Sequence, residues 1–463
     1  MRLFTNSTEE DTSLGVLERA AYGMGNFANA FMFIAIMAFL TFYYTNVVGL
    51  SAGVIGTIML VSRCFDGITD LIMGYIVDHS KDSKFGKARR WLLRSCIPFA
   101  ISGVIVFMVP QKATDVLKYL FVFISYNVCN SIFYTAVSVS YNALMVKMTR
   151  NTVERGLLGI FLMIFSSIGG LVVTSTCLRL VNAFGGDARA WTLTILVYGV
   201  IGLIAHLICI FGTKERIHDA DEARADDKAG NMSFVESFKY LFKNKYWVIF
   251  VLAFSIYWIA YTLTQSGMIY YAQYILGDQN HQVSMANLMQ ILSLVGMLVA
   301  FVPMKLMGKA NTIRLGFGMV VVALALQFLM PHSVTGILAA CFLKGAGWGV
   351  ACAILGGLCP DTLDYGEYVT GKNVTGIGVA AVSFGQKIGS GLGGAIFGLV
   401  LSAGKYDGTA ETLLDSAIRA IHVNYTWIPL VLTVVSLGLM MFYDLDKKLP
   451  EVQAELKRRR NAA

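Results

Sequence analysis

Asp66 and Asp70 stand one helical turn apart within residues 61–77, VSRCFDGITDLIMGYIV, a run otherwise apolar enough to lie in a membrane. A carboxylate at the centre of a bilayer costs roughly 2.5–3.5 kcal/mol on insertion scales. Two on one helix are retained where something binds or neutralises them. Their spacing of four puts both on one face, with Thr69 beside it. Two carboxylates and a hydroxyl are hard oxygen donors, suited to Na⁺ or to a shared proton. Arg63, three residues before Asp66, and Lys387, in another apolar run, offer a competing reading as an ion-paired core. Two acids with a hydroxyl between them exceed what packing needs, so the pair points to ion-coupled transport.

The elements that hold these residues follow from composition. The chain has 463 residues, 56% hydrophobic and 14% charged, with mean hydropathy +0.63. A soluble domain carries about 25% charged residues. Runs of about 20 apolar residues recur along the chain, as in a polytopic membrane protein. They are too long and too continuously apolar for barrel strands, which leaves an all-α bundle. The net charge of +8 sits between spans, where topology signals lie, and gives no reason to expect a nucleic-acid partner. The eight cysteines show no CxxC spacing and read as packing residues, with no disulfide framework or zinc site. His206, deep in a span, also reads as packing. The first apolar run is too long for a cleavable leader and reads as a true span.

Twelve spans are predicted, near residues 20–45, 52–77, 91–110, 117–146, 157–184, 190–212, 246–276, 284–308, 313–331, 335–359, 374–402 and 420–443. They divide into a six-helix half over 1–212 and another over 246–443. A polar linker over 213–245 carries a short amphipathic helix from Ser233 to Phe242, and a tail covers 444–463. Lys81, Lys84, Lys87, Arg89, Arg90, Lys147, Arg150 and Arg155 fall in loops on one side. So do the linker residues Lys214, Arg216, Arg224 and Lys228, and tail residues Lys447, Lys448 and Lys457 to Arg460. The positive-inside rule then places both termini in the cytoplasm, in a multi-pass inner (cytoplasmic) membrane protein. A weak repeat links the halves: Gly86-Lys87-Ala-Arg89 after the second span, and Gly308-Lys309 with Arg314 after the eighth.

Several spans carry polar residues at helical spacing. The first has Tyr22, Asn26 and Asn29. The fourth has Asn127, Asn130, Tyr134, Ser138 and Tyr141, joined by Asn142. The seventh has Tyr257, Tyr261 and Gln265, with Trp258 adjacent. Amides and hydroxyls mixed with aromatics suit a sugar, which offers hydroxyls to bond and ring faces to stack. The alternative for each residue alone is helix–helix bonding. The fourth-span stripe reads as a cavity wall. Lys387 lies in a glycine-rich stretch and is expected to face Asp66 or Asp70, with Ser383 one turn earlier. Lys344, closer to a span end, reads as a snorkelling residue.

These landmarks resemble a known family. Asp66-x-x-Thr69-Asp70-x-x-x-Gly74-x-x-x-Asp78, then Lys84-Phe-Gly86-Lys87-x-Arg89-x-Trp91, is similar to the signature of the glycoside–pentoside–hexuronide:cation symporters, the sodium–melibiose-type branch of the major facilitator superfamily. Asp364-Tyr-Gly-Glu367-Tyr with Gly371-Lys372 and Gly376 resembles that family's second signature. Phe42-Tyr-Tyr-Thr with Val48-Gly49-Leu-Ser51 matches too. The resemblance covers nearly the whole chain. It implies the major facilitator fold in two six-helix halves, a central site and alternating access. By position, Asp66, Thr69, Asp70 and Thr135 resemble the family's cation site, with Thr69 where melibiose-type members have asparagine. Lys387 matches the family lysine near those acids.

The sugar anchors depart from the family. Its first-span acid, fourth-span acid and fifth-span arginine align near Ala30, with Ser138 and with Met163. Losing two acids would ease binding of an anionic sugar such as a glucuronide, while a neutral glycoside or pentoside is equally allowed. Asn26, Asn29, Asn127, Asn130, Tyr134, Ser138, Tyr141, Asn142, Tyr261, Gln265, Ser383 and Lys387 are the candidate substrate contacts. Arg63, Asp78, Lys87, Arg89, Arg90, Asp361, Asp364 and Glu367 are the candidate gating residues. The expected protein is a monomeric sugar symporter with no cofactor beyond its coupling ion, Na⁺ or H⁺. Transport of an amphipathic lipid-like substrate and a non-transporting sensor are the alternatives. No HExxH, GxSxG or intramembrane Ser-His-Asp arrangement argues for an enzyme.

Overall fold

The computed structural model describes residues 14–78, 80, 85–149, 151–217, 234–371, 375–410 and 412–462. Lys81, Lys84, Arg150, Arg224, Lys228, Ser233 and Lys372 lie outside the described residues, as do the side chains of Cys64, Asp78, Lys457 and Arg460. The chain forms two compact units, Met1–Lys228 and Ala229–Ala463.

The first unit holds α1 (Val16–Ala35), α2 (Ala52–Asp78), α3 (Lys87–Val106), α4 (Asp115–Asn127), α5 (Thr135–Met148), α6 (Thr152–Ala183) and α7 (Ala188–Gly212). π-helical segments extend α1 (Ile36–Leu40, Tyr43–Val47) and join α4 to α5 (Val128–Tyr134), so the fourth span is continuous. The second unit holds α8 (Phe234–Lys243), α9 (Lys245–Tyr274), α10 (His281–Val299), α11 (Phe301–Leu329), α12 (Val334–Thr370) and α13 (Thr375–Ala403). It ends with α14 (Asp415–His422), joined to α15 (Ile428–Met441) by a π segment (Val423–Trp427), and α16 (Leu449–Ala462). The described residues contain no strand.

Local chemistry sets these limits. Asp187, Asn244 and Ser333 cap α7, α9 and α12 by accepting the amides of Ala190, Trp247 and Gly336. α12 stops at Gly371, whose φ of 67° fits the left-handed C-terminal position. Gly308, at φ 84° and ψ 170°, breaks α11 near its start. The eighth span is therefore α10 plus the first turns of α11, and the ninth is the remainder, giving six passes in each unit. Ten helices among the described residues are long and apolar enough to cross a membrane on their own. α3 opens with Lys87, Arg89 and Arg90, which raise its polarity.

One boundary needs correction. The tenth span was expected to end at residue 359, yet α12 runs on through Pro360 to Thr370. A proline removes one helical donor, and the glycine eleven residues later is what stops the helix. Asp361, Asp364 and Glu367 are thus helical residues rather than loop residues.

Packing in each unit is by close helix pairs. α1 lies against α6 and α7, and α12 against α10 and α11. Gly316 on α11 and Gly347 on α12 make the last contact possible. A Cβ on either would sit 2.7 or 2.6 Å from the other's carbonyl oxygen. Large apolar side chains remain exposed along the spans, among them Val116, Leu306 and Phe442. Such a surface is stable against lipid.

Candidate functional site

α2 and the fourth span run parallel and meet through a polar ladder of three rungs. Asn127 Nδ2 donates to Ser62 Oγ at 2.8 Å. Ser131 Oγ donates to Asp66 Oδ1. Thr135 Oγ1 donates to Asp70 Oδ1 at 3.1 Å. Each rung joins residues separated by 65 positions. Both helices contribute every fourth residue, so one rung repeats per turn. The π segment places Ser131 and Asn130 in the middle, and π turns recur at functional sites.

Asp66 is sealed from solvent, 1% exposed. Besides Ser131 it accepts Asn130 Nδ2 at 2.9 Å and Arg63 Nη1 at 3.0 Å. A carboxylate accepts only, and here both oxygens are engaged. The buried Arg63 supplies the compensating charge that a buried acid requires. Asp70, one turn on, is half-buried. Thr69 turns back on its own helix, its hydroxyl 3.2 Å from the carbonyls of Phe65 and Asp66. Among the described residues no three His, Cys, Asp or Glu side chains converge as a metal centre. A cation at this place would therefore be held by Asp70 or Asp66 with hydroxyl and carbonyl oxygens.

Ser131 and Ser62 are missing from the sequence-based set. The signal for them was present: 62, 66 and 70 on α2 match 127, 131 and 135 at the same spacing.

The fourth-span stripe does not form a single wall, which corrects the sequence reading. Asn127 and Asn130 turn to α2, whereas Tyr134 and Tyr141 turn to other helices. Tyr134 lies 5.9 Å from the ring of Phe33 and 5.7 Å from that of Phe99. Tyr141 stacks on Tyr22 at 4.5 Å, and its hydroxyl donates to the Tyr22 carbonyl at 2.9 Å. The reason is the π segment, whose wider turn shifts the angular register between Asn127 and Thr135. Ser138 is half-buried and Asn142 exposed. Asn26 donates to the Leu162 carbonyl at 3.3 Å, and buried Asn29 meets His206 Nε2 at 3.1 Å. Both tie α1 to neighbouring helices.

In the second unit Tyr261 packs 5.2 Å from the ring of Trp348 and 5.4 Å from that of Trp258, and Gln265 Nε2 donates to its hydroxyl at 3.3 Å. Lys387 is half-buried on α13, with exposed Ser383 one turn before it. Ser390 Oγ donates to the Lys387 carbonyl at 2.9 Å.

Of the gating candidates, Arg63 pairs with Asp66 within α2, while Lys87, Arg89 and Arg90 lie at the start of α3. The Glu215 carboxylate accepts the backbone amides of Lys87 (2.9 Å) and Arg89 (2.7 Å), capping α3. Arg89 Nε donates to the Ile210 carbonyl at 2.7 Å, and its guanidinium lies 4.3 Å over the Phe85 ring. Arg90, Asp364 and Glu367 are half-buried. Asp361 pairs with Lys309 at 2.5 Å. The second unit repeats the α3 cap: Asp446 Oδ2 accepts the Ala310 amide at 2.7 Å, beside Gly308.

The chain matches the family model for MFS/sugar transport protein over residues 21–447. It belongs to that family. Among curated relatives it is 29% identical over 451 residues to the isoprimeverose transporter of Lactiplantibacillus pentosus, covering 96% of this chain and 91% of that one. It is 32% identical over 466 residues to the uncharacterized symporter YnaJ of Bacillus subtilis strain 168, covering 98% and 97%. Among solved structures, the nucleoside transporter NupG (D323A mutant) superposes with a TM-score of 0.66 at 14% identity, covering 91% of this chain and 99% of that one. The last likeness speaks for the fold alone, an all-α bundle of helices.

Proposed function

We propose that this protein is a cation-coupled symporter that carries a sugar or glycoside across a cytoplasmic membrane by alternating access. The ladder from α2 to the fourth span carries the reading. It places two acids, one sealed and one half-buried, against the hydroxyls of Ser131 and Thr135 in a chain of the sugar-transport family. The sealed acid, Asp66, fixes the local geometry. Asp70 with Thr135 is the exchangeable part, where Na⁺ or H⁺ binds. Ion binding there favours the sugar-competent state. Coupling of this kind is a difference in affinity between states, commonly about 1–3 kcal/mol.

The relatives support the substrate class. One is named an isoprimeverose transporter and another a symporter. By the family resemblance the melibiose-type acids align near Ala30 and with Ser138, so an anionic glycoside would meet no fixed carboxylate there. The chain acts as a monomer, with both termini cytoplasmic.

Uptake into proteoliposomes under an imposed Na⁺ or H⁺ gradient tests this directly, with neutral glycosides, pentosides and glucuronides as substrates. Accumulation under one gradient names the ion and the class together. Asp70→Cys is expected to abolish accumulation, and a variant that still concentrates sugar refutes the assigned role.

A further inference from the structure

Lys344 sits on α12 with 0% exposure, where a snorkelling side chain was expected. Its ammonium donates to Gln327 Oε1 on α11 at 3.1 Å. It lies 4.4 Å from the ring centre of Tyr425, which the π segment before α15 supplies, and 6.0 Å from that of Trp348. The amide and the rings close over the amine and hold it away from water. Among the described residues every ion pair joins other groups, so no carboxylate offsets this charge.

Gln327 is likewise 0% exposed, and its Nε2 finds no acceptor among the described residues. An ammonium has three N–H donors and a carboxamide two. One of these five has an acceptor, Gln327 Oε1. Cys341, a turn before Lys344, and Tyr425 contact each other at 3.9 Å and add no acid. The cluster therefore combines one full positive charge with surplus donors. Buried polar clusters are stable when every member is satisfied. Loss of the lysine proton would remove the charge but leave an unmet amide group. A water molecule would take a proton but leave the charge. An anion answers both.

We propose that Lys344 and Gln327 form a binding site for a small monovalent anion of the chloride class inside the second unit. Tyr425 and Trp348 flank the ammonium. This site is separate from the acid ladder, and occupancy braces α11, α12 and the π segment against each other.

The test is thermal unfolding of the full-length purified protein, read by intrinsic fluorescence, in sodium chloride against sodium gluconate at fixed sodium and pH. Chloride is expected to raise the midpoint by several degrees, saturably, as ligand binding to the native state requires. Lys344→Met should abolish the chloride response, and Gln327→Leu should weaken it. Lys344→Arg keeps the charge and should retain part of it. Equal midpoints for the wild-type protein in both salts overturn the proposal, whether or not any variant folds. A midpoint that depends on pH through Lys344 but not on the anion also overturns it, and assigns a neutral amine instead. Sodium is constant throughout, so failure here leaves the symport reading untouched.

Discussion

Ser131 faces Asp66 across α2 and the fourth span at the same 65-residue offset that joins Thr135 to Asp70. A constant offset between parallel helices makes the contact a register mark. Sliding either helix by one residue breaks all three rungs together.

Ser131→Ala removes one of the three side chains that hold Asp66. A hydrogen bond to a charged group contributes about 1.5–3 kcal/mol. Apparent cation affinity should fall by at least tenfold, measured as the cation concentration for half-maximal uptake. Asn142→Ala, at an exposed position, should leave it unchanged.

Thr69 and Thr135 should behave differently although both resemble cation ligands by position. The Thr135 hydroxyl reaches Asp70, while that of Thr69 bonds its own helix. Thr135→Ala is expected to weaken cation binding several-fold, and Thr69→Ala to change it less. Equal losses in cation-dependent uptake would show that Thr69 turns inward when the ion arrives.

Gly86→Ala should destabilise the first unit. Residue 86 has φ 87°, and a Cβ there would run into the Glu215 carboxylate. Left-handed strain of this kind costs about 1–3 kcal/mol before the clash is counted. Gly357→Ala is the control, since nothing lies within 4 Å of its Cβ position. Unfolding midpoints of the two variants, measured side by side, decide the point.

Tyr141→Ala should act on stability and Tyr141→Phe much less. The ring is 2% exposed and stacked on Tyr22, so truncation opens a large cavity, at about 3–5 kcal/mol. The hydroxyl contributes one hydrogen bond, about 0.5–1.5 kcal/mol. If Tyr141→Phe abolished sugar binding while leaving the unfolding midpoint in place, the packing role would be wrong.

Much of this fold is written in its apolar runs, because a membrane span must be long and continuously apolar. The end of α12 was not legible. Pro360 followed by acids resembles a loop, and only the backbone at Gly371 shows where the helix stops. The acid pair stood out as costly residues in the membrane, whereas Thr135 came only from the family resemblance. Ser131 was hidden because serine is common in spans and its value lies in register with Asp66. The divided stripe was hidden because π turns leave no mark in a pattern judged at 3.6 residues per turn. Lys344 was misjudged because its distance from a helix end says nothing about the aromatic rings that cover it.

The segment after α7 is fastened at four points. Glu215 holds the start of α3, and Arg216 forks onto Glu18 at 2.8 Å. The amides of Arg216 and Ile217 both donate to the Lys147 carbonyl. The first residues of the linker are thus a riveted strap across α1, α3 and α5. Mechanical load drawn along the linker arrives at these rivets before it reaches any span. The first to carry it is the end of α5, where a pull on Ile217 tugs on the Lys147 carbonyl.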